Sequence, residues 1–234
     1  MATESRYWAV IPAAGVGQRM QADRPKQYLT LAGKAVLERS VQPFLMHSAI
    51  AGVALALQPH DPWFAELDIR ASKPLLIAPG GAERCHSVCH ALEVLLASGA
   101  QEQDWVLVHD AARPCLSQTD LDRLIEALSD DAVGGILASP VGDTLKRDDG
   151  AGQIAQTLDR TGVWRALTPQ MFRLGMLHQA LSSAIAGGAL VTDEAGAMER
   201  AGYAPKLVAG SARNIKITRP EDLELAEFYW RSKQ

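Results

Sequence analysis

Cysteine is scarce: Cys85, Cys89 and Cys115 are the only three in 234 residues. That number is odd and too small for a disulfide scaffold, so a reducing, cytoplasmic setting is expected. Basic residues show no excess either. Lys plus Arg number 23 against 27 Asp plus Glu, a net charge of −4, which argues against nucleic acid as a partner. No apolar run reaches the roughly 18–20 residues that span a bilayer, so no membrane partner is expected. The apolar stretch at 7–16 is preceded by Glu4 and ends in a polar, glycine-containing loop, which reads as a buried strand and not as a signal-peptide core. Also absent are a Gly-Lys-Ser/Thr phosphate loop ending, a Gly-x-Ser-x-Gly elbow and a His-Glu-x-x-His pair, which leaves hydrolase readings little support. Internal repeats and low-complexity tracts are missing as well.

What is present is an ordinary globular composition, 47% hydrophobic and 21% charged. A chain of this length buries its core as one large domain or two small ones. Short apolar runs at Tyr7–Pro12 (YWAVIP), Ile50–Leu57 (IAGVALAL), 75–78, Trp105–Val108 and 134–138 predict strands buried on both faces. Between them, helical periodicity predicts helices at 36–46, 83–98 (with Gly99 as a stop) and 119–128, the last capped by Thr119. Strands alternating with helices point to an α/β sheet of largely parallel strands. The rhythm breaks at 139–168, where clustered charge, Gly150 and Gly152, and an extended run at 154–158 predict a hairpin-like excursion. Helices near 173–185 and 193–200, strands near 206–209 and 214–217, and a last helix from Pro220 complete the reading. Thr218-x-x-Glu221 has capping-box spacing for that helix.

The first strand runs into Pro12-Ala13-Ala14-Gly15-Val16-Gly17-Gln18-Arg19-Met20, followed by Pro25-Lys26-Gln27. Glycines let backbone N–H groups approach a phosphate, and Arg19 and Lys26 add two cations to the same loop. The third glycine of a dinucleotide fingerprint is missing, and no acid ends the second strand at Gln58, so a dehydrogenase is disfavoured. A polyphosphate ligand fits; a plain glycine turn with solvated cations competes. Ala78-Pro79-Gly80-Gly81-Ala82-Glu83-Arg84 is a second glycine turn between strand and helix, open to the same two readings. Asp110, in His109-Asp110-Ala111-Ala112-Arg113-Pro114, sits at the C-terminal tip of a buried strand, a common ligand or metal position, although a structural Asp fixing the next turn is equally open. His109 reads as an orienting or packed histidine. Cys85, His86, Cys89 and His90 form two i,i+4 pairs turned about 100° apart around a helix, so one metal could hardly be reached by all four, and buried thiols are the simpler reading.

Taken together, PAAGVGQRM with PKQY, HDAARP, DRTGVWRALTPQMF, VTDEAGAMER and NIKITRPEDL resemble the cytidylyltransferases that make 4-diphosphocytidyl-2-C-methyl-D-erythritol in the non-mevalonate isoprenoid pathway. The resemblance runs from about Trp8 to about Trp230. The first loop alone would mark only a broader nucleotidyltransferase class, and ribitol 5-phosphate cytidylyltransferases share it together with HDAxRP; the DRTGVWRALTPQ segment looks more like the methylerythritol branch. A polyol-phosphate cytidylyltransferase of the sister kind and a non-catalytic nucleotide-binding protein are the alternatives.

The resemblance implies a single doubly wound α/β domain, a Rossmann-like nucleotidyltransferase fold with a mostly parallel sheet and an extended β-arm at about 139–168. It implies a homodimer joined through that arm, with CTP and a polyol phosphate as substrates and Mg²⁺ or another divalent cation as cofactor. By position, Ala13, Ala14, Gly15, Gly17, Arg19, Lys26, Gly81, Ser87, Asp110 and Ala111 would bind CTP. Asp110, Arg113, Thr144, Arg160, Thr168, Thr192 and Lys216 would bind the acceptor, with Thr144, Arg160 and Thr168 holding its phosphate partly from the neighbouring subunit. Arg19, Lys26, Arg160 and Lys216 would carry catalysis, and Asp110 would be the one protein ligand near a metal held mainly by CTP phosphates. Ala82 departs from relatives that carry Asp there, which leaves cytosine reading more to backbone groups.

Overall fold

The computed structural model describes residues 5–15 and 23–232; Gly17 and Arg19 lie outside the described residues. Strand β1 (Tyr7–Pro12) pairs in parallel with β4 (Ile50–Leu57) on one side and β6 (Trp105–Val108) on the other. Beyond β4 lies β5 (Leu75–Pro79), and beyond β6 come β10 (Trp164–Arg173), β7 (Gly134–Pro140) and β11 (Lys206–Ala209), giving the order β11-β7-β10-β6-β1-β4-β5. Within this seven-stranded sheet β10 runs antiparallel to both of its neighbours, and the other pairs are parallel. A small hairpin, β2 (Thr30–Leu31) and β3 (Lys34–Ala35), leads into the first helix.

Side chains alternate across a strand, and here both faces are buried. Trp8 and Val10 point into one core with Val88, Leu92 and Leu95 of α2 (Arg84–Ala97), Leu177 and Leu181 of α4 (Leu174–Ala186) and Met198 of α5 (Glu194–Arg200). Ala9 and Ile11 point into the other, with Leu37, Val41 and Phe44 of α1 (Val36–Met46) and Leu121, Leu124 and Leu128 of α3 (Gln118–Leu128). This double coverage is why the strands read as continuous apolar runs. Helix α6 (Pro220–Arg231) covers Leu31 and Val36 through Ala226.

Several expectations shift. The cap of the 119–128 helix lies two residues earlier than expected: Ser117, not Thr119, caps α3, its Oγ accepting the Asp120 N–H at 3.1 Å. The last helix is capped one position later than expected, because Asp222 and not Glu221 turns back to accept from Thr218 N at 2.8 Å and Arg219 N at 2.9 Å. No strand forms at 214–217: Ile217 N donates to Ala112 O at 2.8 Å, tying an irregular segment to the loop after β6. The predicted excursion is β8 (Leu145–Asp148) paired with β9 (Ile154–Leu158), nearly all of it exposed. Sequence reading missed β10 altogether.

Candidate active site

The segments that follow the parallel strands β1, β4, β5 and β6 enclose a cleft of about 370 Å³. Its walls include Ala13, Ala14, Gly15, Lys26, Gly81, Ser87, Asp110 and Ala111, so every described residue proposed for the nucleotide meets here. A second cavity of about 170 Å³ adjoins it, lined in part by Arg113, Thr168 and Thr192, and the two share Arg84, Asp110 and Lys216. Thr144 and Arg160 line neither. Both are exposed at the base of the arm, where Arg160 donates to Gly142 O.

The first loop is shaped by amides. Gln27, buried, donates from Nε2 to Ala13 O at 2.7 Å and to Gly15 O at 2.9 Å, and Gln58 Nε2 donates to Ala14 O at 2.5 Å. A trans peptide sets each C=O opposite to the following N–H. Tying these carbonyls back therefore turns the Ala14 and Gly15 N–H groups the other way, as an anion site requires. Across the cleft, a Cβ on Gly80 would come within 2.3 Å of the Ala14 Cβ, and one on Gly81 within 2.3 Å of the His86 Cβ. The close approach of the two loops thus needs glycine at 80, while at 81 it lets the turn fold against the first turn of its own helix α2. The Ser87 hydroxyl receives the Gly81 N–H at 3.0 Å and itself contacts Glu83 O at 3.3 Å.

Charge concentrates at Asp110. Its Oδ1 takes Arg84 Nε at 3.0 Å, and its Oδ2 takes Lys216 Nζ at 3.0 Å and Arg113 Nε at 3.3 Å. Burial pushes its carboxyl up, but Arg84, Lys216 and Arg113 together hold it far below the usual carboxylate range. Arg84 is gripped from its other side by Glu194, a fully buried carboxylate, at 2.5 and 3.0 Å. Burial disfavours the guanidinium charge, yet Glu194 and Asp110 overcome it and hold Arg84 protonated. Lys26 Nζ, 191 positions away in sequence, donates to Ile217 O at 2.9 Å, beside Lys216.

The strand-end loop is locked from below. Thr168 Oγ1 accepts the Asp110 N–H at 3.1 Å and lies 2.9 Å from His109 Nδ1; His109 Nε2 lies 3.0 Å from Arg113 O. A carbonyl can only accept, so Nε2 carries the proton and Nδ1 accepts from the threonine. Burial lowers the His109 pKa to about 4, and the ring is neutral at pH 7. Arg113 Nη1 reaches Asn214 O at 2.7 Å, and Asn214 Nδ2 reaches Thr168 O at 2.6 Å. Arg113 and Thr168, proposed for the acceptor, are thus also the struts of this loop. His109 packs as expected, tilted against Phe44 at 5.3 Å between ring centroids.

Sequence reasoning missed Arg84, Glu194, Gln27 and Gln58. Arg84 did leave a signal: it occupies the first position of α2, where the helix dipole disfavours a cation. Cys85 and Cys89 are buried thiols, while His86 Nδ1 accepts from Glu83 N and His90 Nδ1 faces Pro79 O, so these four side chains do not converge.

A magnesium ion would find one carboxylate on the rim shared by the two cavities. Asp110 is an ionised, hard oxygen donor, but both of its oxygens already face cations. This donor set fits an ion held chiefly by a nucleotide's phosphate oxygens, with Asp110 as a single protein partner.

Comparison with known proteins gives one consistent result. The family model for IspD, 2-C-methyl-D-erythritol 4-phosphate cytidylyltransferase, matches residues 7–232. The chain is 59% identical over 217 residues to the 2-C-methyl-D-erythritol 4-phosphate cytidylyltransferase of Pseudomonas aeruginosa, covering 93% of each chain. With its namesake from Pseudomonas putida GB-1 it shares 54% over 228 residues, 97% of each. Among solved structures, a 4-diphosphocytidyl-2C-methyl-D-erythritol synthase superposes with a TM-score of 0.85 at 40% identity, over 97% of this chain and 99% of that one. The Francisella tularensis 2-C-methyl-D-erythritol 4-phosphate cytidylyltransferase gives 0.84 at 36%, over 96% and 100%.

Proposed function

The chain belongs to the 2-C-methyl-D-erythritol 4-phosphate cytidylyltransferase family, and from that membership we propose how its cleft works. The enzyme is a nucleotidyltransferase of non-mevalonate isoprenoid precursor biosynthesis: CTP and 2-C-methyl-D-erythritol 4-phosphate give 4-diphosphocytidyl-2-C-methyl-D-erythritol and pyrophosphate. The observation that carries the mechanism is the pair of adjoining cavities that share Arg84, Asp110 and Lys216. CTP occupies the larger and the acceptor phosphate the smaller, so the two reacting groups meet at the shared charged wall.

No general base is needed. A phosphate monoester has a second pKa of about 6 and is mostly dianionic at neutral pH. An acceptor oxygen attacks the α-phosphorus, the new O–P bond forms, and the bond to the β-phosphate oxygen breaks to release pyrophosphate. What opposes the step is repulsion between two anions, so the protein's part is to supply cations and geometry. Lys26, together with Arg19, neutralises the α-phosphate. Lys216, exchanging Asp110 for substrate, steers the attacking phosphate. The Ala14 and Gly15 N–H groups receive the triphosphate, and Gly81 and Ser87 meet the base. A bound Mg²⁺ would supply charge neutralisation across the triphosphate, with Asp110 its protein partner.

The exposed hairpin supports a homodimer. Two strands exposed on both faces are marginal alone, and Ile154 at its tip is 67% exposed. In the proposed dimer the arm brings Thr144 and Arg160 to the neighbouring subunit's acceptor cavity. Three buried thiols support a cytoplasmic setting; among the described residues no helix is long and apolar enough to cross a membrane.

The test is pyrophosphate release measured with CTP and, in turn, methylerythritol phosphate and ribitol 5-phosphate. Release with the first and little with the second is expected. Release only with ribitol phosphate, or with neither, overturns the reading.

A further inference from the structure

Two charged side chains, Arg84 on the cleft wall and Glu194 buried behind it, hold no role in the transfer as described. Arg84 opens α2 and Glu194 opens α5, 110 positions later, and the two are joined by the bidentate contact at 2.5 and 3.0 Å. The remaining guanidinium nitrogen, Nε, is spent on Asp110 Oδ1. All three nitrogens of Arg84 are therefore committed to two carboxylates, and the plane of the fork is fixed. Glu194 itself is anchored: the neighbouring Ala195 N–H donates to Gln170 Oε1 at 2.8 Å, and Gln170 Nε2 donates to Asp193 Oδ2 at 2.9 Å.

We propose that Arg84 and Glu194 form a positioning pair: Glu194 fixes the guanidinium, and the guanidinium holds the Asp110 carboxylate so that Lys216 is presented to, and released onto, the acceptor phosphate. The proposal rests on the reading of this cleft as the transfer site. Its physical basis is charge sharing. An Asp110 paired with Lys216 alone would hold that lysine tightly in a partly buried pair and compete with the substrate. Here Arg84 and Arg113 share the same carboxylate, so Lys216 can leave without exposing an uncompensated buried anion. Glu194 in turn cancels the charge of Arg84. Three cations then face two carboxylates, and the surplus positive charge falls to Lys216, whose side chain at 38% is the most exposed of the five. The pair also ties α5 to α2 across the mouth of the smaller cavity, which both Arg84 and Asp193 line.

A lysine at position 84 keeps the charge but cannot span both carboxylates, and a glutamine at 194 keeps the shape but loses the charge. The experiment compares the parent enzyme with Arg84→Lys, Glu194→Gln and the double variant, using methylerythritol phosphate and CTP. Turnover is normalised to CTP-binding sites counted by calorimetry, well below each protein's melting temperature. We expect kcat to fall at least about tenfold in each single variant, with the KM for CTP moving less than about threefold. The double variant should be no worse than the poorer single one, because the two residues act as a unit. Should Glu194→Gln fail to fold, Glu194→Asp carries the comparison and should retain more kcat than Arg84→Lys. Normalised kcat within about threefold of the parent, or losses that multiply in the double variant, would overturn the pair. An inactive parent would instead overturn the underlying reading of the site.

Discussion

Lys216 Nζ lies 3.0 Å from Asp110 Oδ2, although 106 residues separate them in sequence. The contact parks a cation at the wall shared by both cavities, within reach of an incoming phosphate and balanced until one arrives. Lys26 reaches the same strip of backbone at Ile217 from the opposite side of the cleft. Lys216→Ala and Lys26→Ala should each lose roughly 10²–10³ in turnover while keeping the circular dichroism and melting behaviour of a folded protein. Steady-state pyrophosphate release checks this, and near-parent turnover in either variant contradicts the roles given to them.

The loop after β1 depends on Gln27. Replacing it with leucine removes the donor to the Ala13 and Gly15 carbonyls, and the buried Ala13 carbonyl left unpaired costs about 1–3 kcal/mol. The loop should relax and turn its N–H groups away from the phosphates. CTP affinity measured by calorimetry should fall at least about tenfold in Gln27→Leu. Unchanged affinity would mean that the loop is set by something other than the glutamine.

His109 gives the fold a pH dependence of known sign. Its folded pKa of about 4 lies below the ordinary histidine value of 6.5, so between those values the unfolded chain takes up a proton that the buried ring does not. Stability from this residue is complete above about pH 6.5 and is lost as pH falls toward 4, by roughly 3 kcal/mol in all. Denaturant unfolding followed from pH 7 to 4.5 should show the decline, and His109→Gln should flatten it in that window. The same slope in the variant would place the titration elsewhere.

The arm makes a prediction about assembly. Shortening it between residues 144 and 160 removes β8, β9 and both proposed trans-acting residues. The parent should sediment with the mass of two chains and the shortened protein with the mass of one, with acceptor-dependent activity lost. A shortened protein that remains a dimer would place the interface elsewhere.

Much of this was legible in the chain itself, for physical reasons that particular elements illustrate. β1, β4 and β6 are buried on both faces, so each is a short apolar run with clear ends. β10 hid because Pro169 argues against an interior strand. The structure resolves this by breaking the register between Ala166 and Gln170, so the ladder never asks the proline for an N–H. The cleft loops were readable from glycines and cations because those residue types are rare in such density. Arg84 and Glu194 were not, since a bidentate pair 110 positions apart leaves no local period. The helix caps at Ser117 and Asp222 each lie within two residues of the expected signal; neighbouring Ser, Thr, Asp and Glu offer competing acceptors, and geometry selects one.

The most direct test of the central claim is phosphorus NMR of a complete reaction containing CTP, Mg²⁺ and methylerythritol phosphate. The account predicts that the monoester resonance disappears as two mutually coupled diphosphate resonances and free pyrophosphate grow in equal amounts. A monoester signal that persists while CTP is consumed, or while nothing changes, would contradict it.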